Sequence, residues 1–236
     1  MNVAVLVEVI RETNRNWRFI FESPLYDRLD FIPGQLVQLV ALPFSDEPIV
    51  RNYSVSSWPD GTNRFELIIT NLQGGKMSDY LFKNARVGDE FQYRGPMGVF
   101  TLPQVIDRDI FFVSTGSGIS PFRSMVNWMF EKKVKTQQVK LFFGTRTSNE
   151  IPYKSEWIKL KWDMPKFDFI PTLSQEDNWM YKSGYVHKHY LELIDSMEHK
   201  PLVYFCGWSG MINEGRQHLI ERGFEMGKDI RVEIFG

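Results

Sequence analysis

Residues 110–121 read Ile-Phe-Phe-Val-Ser-Thr-Gly-Ser-Gly-Ile-Ser-Pro, an apolar run followed by a glycine-rich turn and a proline. The run Ile110–Ser114 is typical of a buried strand, and Pro121 suits the first turn of a helix. Gly116 and Gly118 let the backbone approach a pyrophosphate, and the start of a helix favours the anion. Proline stands where the common Gly-x-Gly-x-x-Gly dinucleotide pattern has its third glycine, so a purely structural turn remains an alternative.

The alternation of apolar run and helical stretch continues to the chain end. Further strands are predicted at Val139–Gly144, Phe167–Thr172, Leu202–Cys206 and Ile230–Phe235. Helices are predicted near Pro121–Lys133, Lys154–Lys161, Lys188–Met197 and Met211–Arg222. Because strands that alternate with helices form parallel sheets covered on both faces, residues 105–236 are predicted to form a nucleotide-binding α/β domain.

The first hundred residues have the period of strands instead. Val3, Val5, Val7 and Val9 fall on one strand face, and comparable short runs follow at Trp17–Phe21, Gln35–Ala41, Asn52–Ser56, Phe65–Thr70 and Glu90–Arg94. Turn residues separate the runs, and one helical stretch, Met77–Ala85, interrupts them. Residues 1–104 are therefore predicted to form an antiparallel six-stranded β-barrel, with the domain boundary in Leu102–Arg108.

Composition excludes several classes of protein. The 236 residues are 43% hydrophobic and 24% charged, as in ordinary globular proteins, and no apolar run approaches the roughly 20 residues of a membrane span. The N-terminus does not read as a signal peptide, so we expect a cytoplasmic protein. A net charge of −1 gives no reason to expect nucleic acid. The single cysteine, Cys206, excludes an intrachain disulfide and a cysteine-ligated iron–sulfur cluster within this chain.

The predicted barrel carries two motifs about twenty residues apart. Arg51-Asn52-Tyr53-Ser54 lies on a strand, where Arg51 and Tyr53 share a face and the backbone of Ser54 remains available. Gly74-Gly75-Lys76-Met77-Ser78 stands at the start of the helical stretch. An arginine, a flat aromatic ring and a helix N-terminus can together hold the phosphates and ring of a flavin. The alternative is an ordinary strand with a salt-bridged arginine.

Two further motifs lie in the second half. Cys206-Gly207-Trp208-Ser209-Gly210-Met211 follows a predicted strand at the carboxyl edge of the sheet, where ligands bind in such folds. A lone cysteine there is either a small buried hydrophobe or a functional group. The chain ends in Arg231-Val232-Glu233-Ile234-Phe235-Gly236, and Phe235 is either a core aromatic or a ring placed over a ligand.

These four motifs, in this order and at these spacings, resemble the ferredoxin-NADP reductase superfamily over nearly the whole chain. The resemblance implies that Arg51 contacts the flavin pyrophosphate, Tyr53 stacks on the isoalloxazine ring and Ser54 hydrogen-bonds near flavin N5. It also implies that Gly75, Lys76, Met77 and Ser78 hold the flavin phosphates. The implied flavin is FAD, since this helix start offers a pyrophosphate site beyond Arg51.

The resemblance assigns the remaining motifs to the nicotinamide cofactor and to catalysis. Thr115, Gly116, Gly118 and Pro121 correspond to the turn that binds the dinucleotide, and Cys206 and Gly207 to a pair beside the nicotinamide. Glu233 would organise the site or relay a proton, and Phe235 would cover the flavin face opposite the tyrosine. Plant-type members end on the aromatic residue itself, whereas here Gly236 follows it.

The predicted preference between NADH and NADPH depends on the residues at the end of the third strand of the second half. NADPH-specific members of the superfamily typically carry an arginine directly after a serine there, to pair with the 2′-phosphate. This chain has Ser174 followed by Gln175, which slightly favours NADH over NADPH. Arg146 or Lys182 is the alternative partner for a phosphate.

The implied reaction is hydride transfer from NAD(P)H to FAD, followed by electron delivery to a ferredoxin, a flavodoxin or an oxygenase component. We expect no metal, no nucleic-acid partner, no membrane partner and a monomeric protein. Two alternatives stay open. The acceptor is a small molecule such as free flavin, a ferric chelate or a quinone, or the chain is a non-catalytic flavin-bearing subunit of a larger complex.

Overall fold

The computed structural model describes residues 1–42, 47–176 and 179–234. The chain divides into two compact units, one comprising Met1–Thr101 and Ser120–Trp128 and the other Leu102–Ile119 and Met129–Gly236. The sequence-based division, by comparison, falls after residue 104 and leaves the segment from Ser120 to Trp128 in the second domain.

The first unit is the predicted antiparallel sheet of six strands. Its strands are β1 (Asn2–Arg11), β2 (Asn16–Glu22), β3 (Leu36–Ala41), β4 (Ile49–Ser54), β5 (Arg64–Thr70) and β6 (Glu90–Met97), and a helix, α1 (Lys76–Lys83), precedes β6. The strand order is β4-β3-β6-β1-β2-β5, with every neighbouring pair antiparallel. The edge strands β4 and β5 meet just beyond β4, where the Ser56 N–H donates to the Glu66 carbonyl at 2.8 Å, so the sheet closes into a barrel.

Aromatic side chains fill the barrel. Phe21 packs against Phe65 and against Phe91, each with ring centroids 5.3 Å apart, and all three side chains are buried. Burying a side chain of this size stabilises a fold by about 1.5–3 kcal/mol. On β1 the core-facing residues are Ala4 and Leu6, whereas the alternating valines are only half buried. The strand period was therefore predicted correctly, but period alone does not say which face is inside.

The second unit is the predicted parallel sheet with helices. Its elements are β7 (Ile110–Thr115), α2 (Ser120–Glu131), β8 (Val139–Thr145), α3 (Lys154–Asp163), β9 (Phe167–Leu173), β10 (Lys182–Ser183), α4 (Val186–Asp195), β11 (Leu202–Gly207), α5 (Ser209–Glu221) and β12 (Ile230–Ile234). The first nine residues of α2 cluster with the first unit. The order is β10-β9-β8-β7-β11-β12, with all pairs parallel. The two-residue strand β10 was not anticipated. Among the described residues, no helix combines the length and apolar character that a membrane crossing requires.

A buried histidine lies where α4 and α5 face each other in the second unit. The His187 Nδ1 lies 2.8 Å from the hydroxyl of Tyr190, and its Nε2 lies 3.6 Å from a carboxylate oxygen of Glu214. The ring of His218 is 5.7 Å away, measured between centroids. Burial lowers the pKa of His187 below its ordinary value of 6.5, Glu214 acts against this shift and His218 adds to it.

We expect this histidine to make the stability of the protein depend on pH. Because the pKa of His187 is lower in the folded state, the unfolded chain binds more protons below about pH 6.5, so the melting temperature should rise from about pH 5 to about pH 7. The variant His187→Gln should show a smaller rise in thermal melts across this range. The matched control is His199→Gln at an exposed histidine, which should keep the wild-type slope. Equal slopes in all three proteins would contradict the prediction.

Candidate cofactor-binding sites

The strand β4 presents the first group of predicted site residues. Arg51 is exposed, and its Nη1 donates to the carbonyl of Val50 at 2.7 Å. Tyr53 is half buried and packs against the barrel core. Burial raises the pKa of the Tyr53 phenol well above its ordinary value, although Arg51 acts in the opposite direction. Ser54, at the end of the strand, is buried. The strand therefore offers a cation and an uncharged aromatic ring on one face.

The start of α1 supplies the second group. Gly75 is the N-cap residue and no side chain caps this helix end, so the backbone N–H groups of the first turn can bind an anion. A Cβ at Gly75 would lie 2.7 Å from the Ser78 hydroxyl. That hydroxyl donates to the carbonyls of Leu72 and Gly75, and the Met77 side chain is buried in the core. Ser78 and Met77 thus shape the turn, and they offer a phosphate only their backbone, beside the exposed Lys76.

The glycine-rich turn after β7 lies against the end of β11. A Cβ at Gly118 would lie 2.3 Å from the carbonyl oxygen of Cys206, and one at Gly207 would lie 2.6 Å from the Thr115 hydroxyl. Gly116 and Gly207 adopt φ of 56° and 135°, which favour glycine. The structure therefore brings Thr115, Gly116, Gly118, Cys206 and Gly207 together. Pro121 lies in the first turn of α2.

The Thr115 hydroxyl has a role that the sequence does not reveal. It accepts a hydrogen bond from the Trp208 N–H at 3.1 Å and so ties the two loops together. The turn from Gly116 to Ile119 is a 3₁₀ helix that leads directly into α2. Backbone groups therefore form most of this surface, as a pyrophosphate site requires.

Cys206 is fully buried in β11, beside Ser114 of β7 and Glu233 of β12. Burial raises the pKa of its thiol well above the ordinary value, and the neighbouring Glu233 raises it further. The thiol is therefore protonated at neutral pH, which leaves it packing and positioning but no nucleophilic chemistry. Glu233 is half buried. Phe235 and Gly236 lie outside the described residues.

Residues predicted to choose between NADH and NADPH lie at the ends of β8 and β9. The Ser174 N–H donates to the Thr145 carbonyl at 3.0 Å, and the Gln175 N–H donates to the Arg146 carbonyl at 2.9 Å. The side chains of Gln175 and Arg146 are exposed, as is Lys182 on β10. In the sheet order these strand ends lie on one side of β7 and Cys206 lies on the other. An extended dinucleotide with its pyrophosphate over the central turn fits this arrangement.

Sequence reasoning missed a charged cluster in the first unit. The buried Glu66 carboxylate contacts the guanidinium groups of both Arg18 and Arg123. The available signal was a glutamate inside the apolar strand Phe65–Ile69 and an arginine inside the apolar start of α2. Across residues 1–42, 47–176 and 179–234, no group of three or more histidine, cysteine or acidic side chains is arranged to hold a metal ion.

Both halves of the chain match known protein families. Residues 4–102 match the oxidoreductase FAD-binding domain, and residues 112–217 match the oxidoreductase NAD-binding domain. The ferredoxin–NADP reductase B of Sorangium cellulosum is 32% identical over 214 residues, which cover 87% of this chain and 85% of that protein. The chain belongs to the ferredoxin–NADP reductase superfamily. Its cofactors are FAD and NAD(P)H.

Two other members of the superfamily extend the comparison. The glycine betaine monooxygenase reductase subunit of Pseudomonas aeruginosa is 29% identical over 237 residues, which cover 98% of this chain but only 63% of that subunit. A crystal structure of a ferredoxin–NADP⁺ reductase from Neisseria gonorrhoeae with bound FAD and NADP has the same fold, with a TM-score of 0.81, 22% identity and coverage of 98% of this chain and 97% of that one. This chain therefore spans about six tenths of the oxygenase reductase subunit.

We expect Gly118→Ala to impair binding of the nicotinamide dinucleotide. The added methyl group would overlap the backbone of Cys206 and Gly207 and displace the turn, and misplacement by about 1 Å can lower kcat/KM on the order of 100-fold. The FAD content should not change, because the turn and the barrel strands are separate elements. The measurement is steady-state oxidation of NADH with ferricyanide.

Gly227→Ala is the matched control for this variant. Gly227 has a positive φ, of 80°, unlike Gly118, and no atom lies within 4 Å of the position of its Cβ. It should lose some stability and keep the KM for NADH. A Gly118→Ala protein with the kinetics of the wild type would show that the turn does not carry the dinucleotide.

Proposed function

We propose that the chain oxidises NAD(P)H, transfers the hydride to FAD and delivers electrons to a protein acceptor, namely a ferredoxin, a flavodoxin or an oxygenase component. The observation that carries the proposal is the presence, in one chain, of an uncapped helix start and an exposed Arg51 in the first unit and of a glycine-built turn at Gly116–Gly118 in the second. The first fits a flavin diphosphate and the second a dinucleotide pyrophosphate.

The barrel residues bind and orient the flavin. Arg51 neutralises the diphosphate, and the N–H groups at the start of α1, from Lys76 onward, bind its oxygens. Tyr53 stacks on the flavin ring, and its raised pKa keeps this ring uncharged at neutral pH. Ser54 hydrogen-bonds near flavin N5.

The residues of the second unit orient the nicotinamide nucleotide. When bound, the two cofactors supply the redox chemistry, in which nicotinamide C4 gives a hydride to flavin N5 and the electrons then leave singly. Cys206 packs beside the nicotinamide as a neutral thiol, and Gly207 allows Thr115 to approach the end of β11 closely. Glu233 holds or relays a proton. Phe235, which lies outside the described residues, would shield the flavin.

The relatives support a protein acceptor. One is a ferredoxin–NADP reductase, and another is the electron transfer component of an anthranilate 1,2-dioxygenase from Acinetobacter baylyi, 30% identical over 217 residues. The latter covers 92% of this chain, and the match spans 61% of that component.

We expect the purified protein to be yellow, to release FAD rather than FMN on heating, and to oxidise NADH with ferricyanide. FAD is expected because both Arg51 and the start of α1 offer contacts to its diphosphate. The measurements are chromatography of the released flavin and initial rates with ferricyanide, then with purified ferredoxins, flavodoxins and free flavin. Recovery of FMN alone would contradict the flavin assignment. Rapid reduction of free flavin with no rate toward any protein acceptor would favour a small-molecule reductase, and bound FAD without NADH oxidation a non-catalytic subunit.

We expect a higher kcat/KM with NADH than with NADPH, and a shift toward NADPH in Gln175→Arg. An arginine at this exposed position supplies a charge-assisted contact to the 2′-phosphate, which contributes about 1 to 3 kcal/mol to relative kcat/KM. The measurement is kcat/KM for both nucleotides in both proteins. Gln138→Arg adds the same charge at an exposed position before β8, at the opposite edge of the sheet, and should leave the ratio unchanged. A native preference for NADPH would indicate that Arg146 or Lys182 binds the 2′-phosphate.

A further inference from the structure

The most unusual buried group of the first unit is the carboxylate of Glu66 on β5. One oxygen accepts hydrogen bonds from Arg18 Nε and Nη2 at 3.0 and 2.6 Å. The other accepts from Arg123 Nη1 at 2.9 Å. Arg18 also lies 3.5 Å from a carboxylate oxygen of Glu12. Two carboxylates and two guanidinium groups therefore form a cluster whose formal charges cancel.

The same glutamate fixes the chain segment that follows the Arg-x-Tyr-Ser motif. The Ser56 N–H and hydroxyl both donate to the Glu66 carbonyl, and the Ser56 hydroxyl also lies 2.9 Å from the Glu66 carboxylate. The Glu66 N–H donates to the Ser57 hydroxyl at 3.0 Å. Backbone and side chain of one residue thus hold the two serines that come just after Ser54.

Arg123 also contacts the segment that follows Ser54. Its Nη1 donates to the Ser56 carbonyl at 3.2 Å, and its guanidinium carbon lies 5.3 Å from the ring centroid of Trp58. Arg123 and Glu66 are both buried. A buried ion pair gains little stability over an apolar pair of the same size, because desolvation offsets the attraction. What such a cluster does provide is a single defined geometry for the groups that it contacts.

We propose that Glu66 is a positioning residue of the flavin site. It fixes the end of β4, and with it Tyr53 and Ser54, and its charge balances the guanidinium groups of Arg18 and Arg123 beside that strand. The inference rests on the proposed binding of FAD by β4. Loss of the Glu66 charge has two consequences: the strand end loses its anchor, and an uncompensated positive charge remains nearby, which favours the more negative, reduced form of the flavin.

The test is Glu66→Gln, which keeps the side-chain shape and removes the charge. Expected results are FAD affinity weaker by about tenfold or more, as when outer-shell partners are removed at metal sites, a changed visible circular dichroism spectrum of the flavin and a more positive reduction potential. The matched control is Glu22→Gln. Glu22 pairs with Arg64 at 2.9 Å between the same two strands, β2 and β5, but on the surface, and its loss should change none of the three readouts.

A second variant separates anchoring from charge. Glu66→Gln/Arg123→Met removes one cation together with the carboxylate, so the potential should return toward that of the wild type while FAD affinity stays low. If the single variant does not fold, the double variant provides the test instead, because the double variant leaves no unbalanced buried charge.

The outcomes are distinguishable. The inference would be overturned if a folded Glu66→Gln protein kept the FAD affinity, flavin dichroism and reduction potential of the wild type. A lower melting temperature would not rescue it, because a purely structural role of Glu66 would change only the melting temperature. If only the double variant folds, wild-type FAD affinity in it would overturn the inference equally. A wild-type protein that binds no FAD would reject the proposed function, and the inference with it.

Discussion

Gly118 lies so close to the end of β11 that a Cβ there would be 2.3 Å from the carbonyl oxygen of Cys206. Because β7 and β11 are neighbours in a parallel sheet, the turns that follow them leave the same edge. Two turns can share this space only if backbone packs against backbone, and Gly118 and Gly207 permit it. The anion-binding surface proposed for the second unit depends on this contact, since it holds the turn after β7 against the end of β11.

The barrel is closed by a different interaction. The sheet has two edge strands, and they meet through the hydrogen bond between the Ser56 N–H and the Glu66 carbonyl. A glutamate at this junction brings a buried carboxylate, which the guanidinium groups of Arg18 and Arg123 balance. The junction lies just beyond Ser54, so the interaction that closes the barrel also sets the end of the strand expected to hold the flavin.

Two titratable groups at the proposed cofactor sites, the Tyr53 phenol and the Cys206 thiol, are neutral. Burial keeps the Tyr53 phenol and the Cys206 thiol protonated by raising the pKa of each. Charge is placed where phosphates are expected, at Arg51 and at the uncapped start of α1. This division suits a protein whose cofactors perform the chemistry, because the chain contributes binding, orientation and exclusion of competing reactions.

The sequence by itself determined the order of strands and helices, the change from an antiparallel to a parallel sheet, and the glycines of the turn after β7. These features follow from local periodicity and from backbone conformations that few residues other than glycine adopt. Only the tertiary structure decided that Ala4 and Leu6 face the barrel core, that the Ser78 hydroxyl holds a turn, and that the Cys206 thiol is buried. The pairing of Glu66 with Arg123 joins residues 57 positions apart. A local pattern cannot encode such a contact, because it exists only once distant strands and helices have packed together.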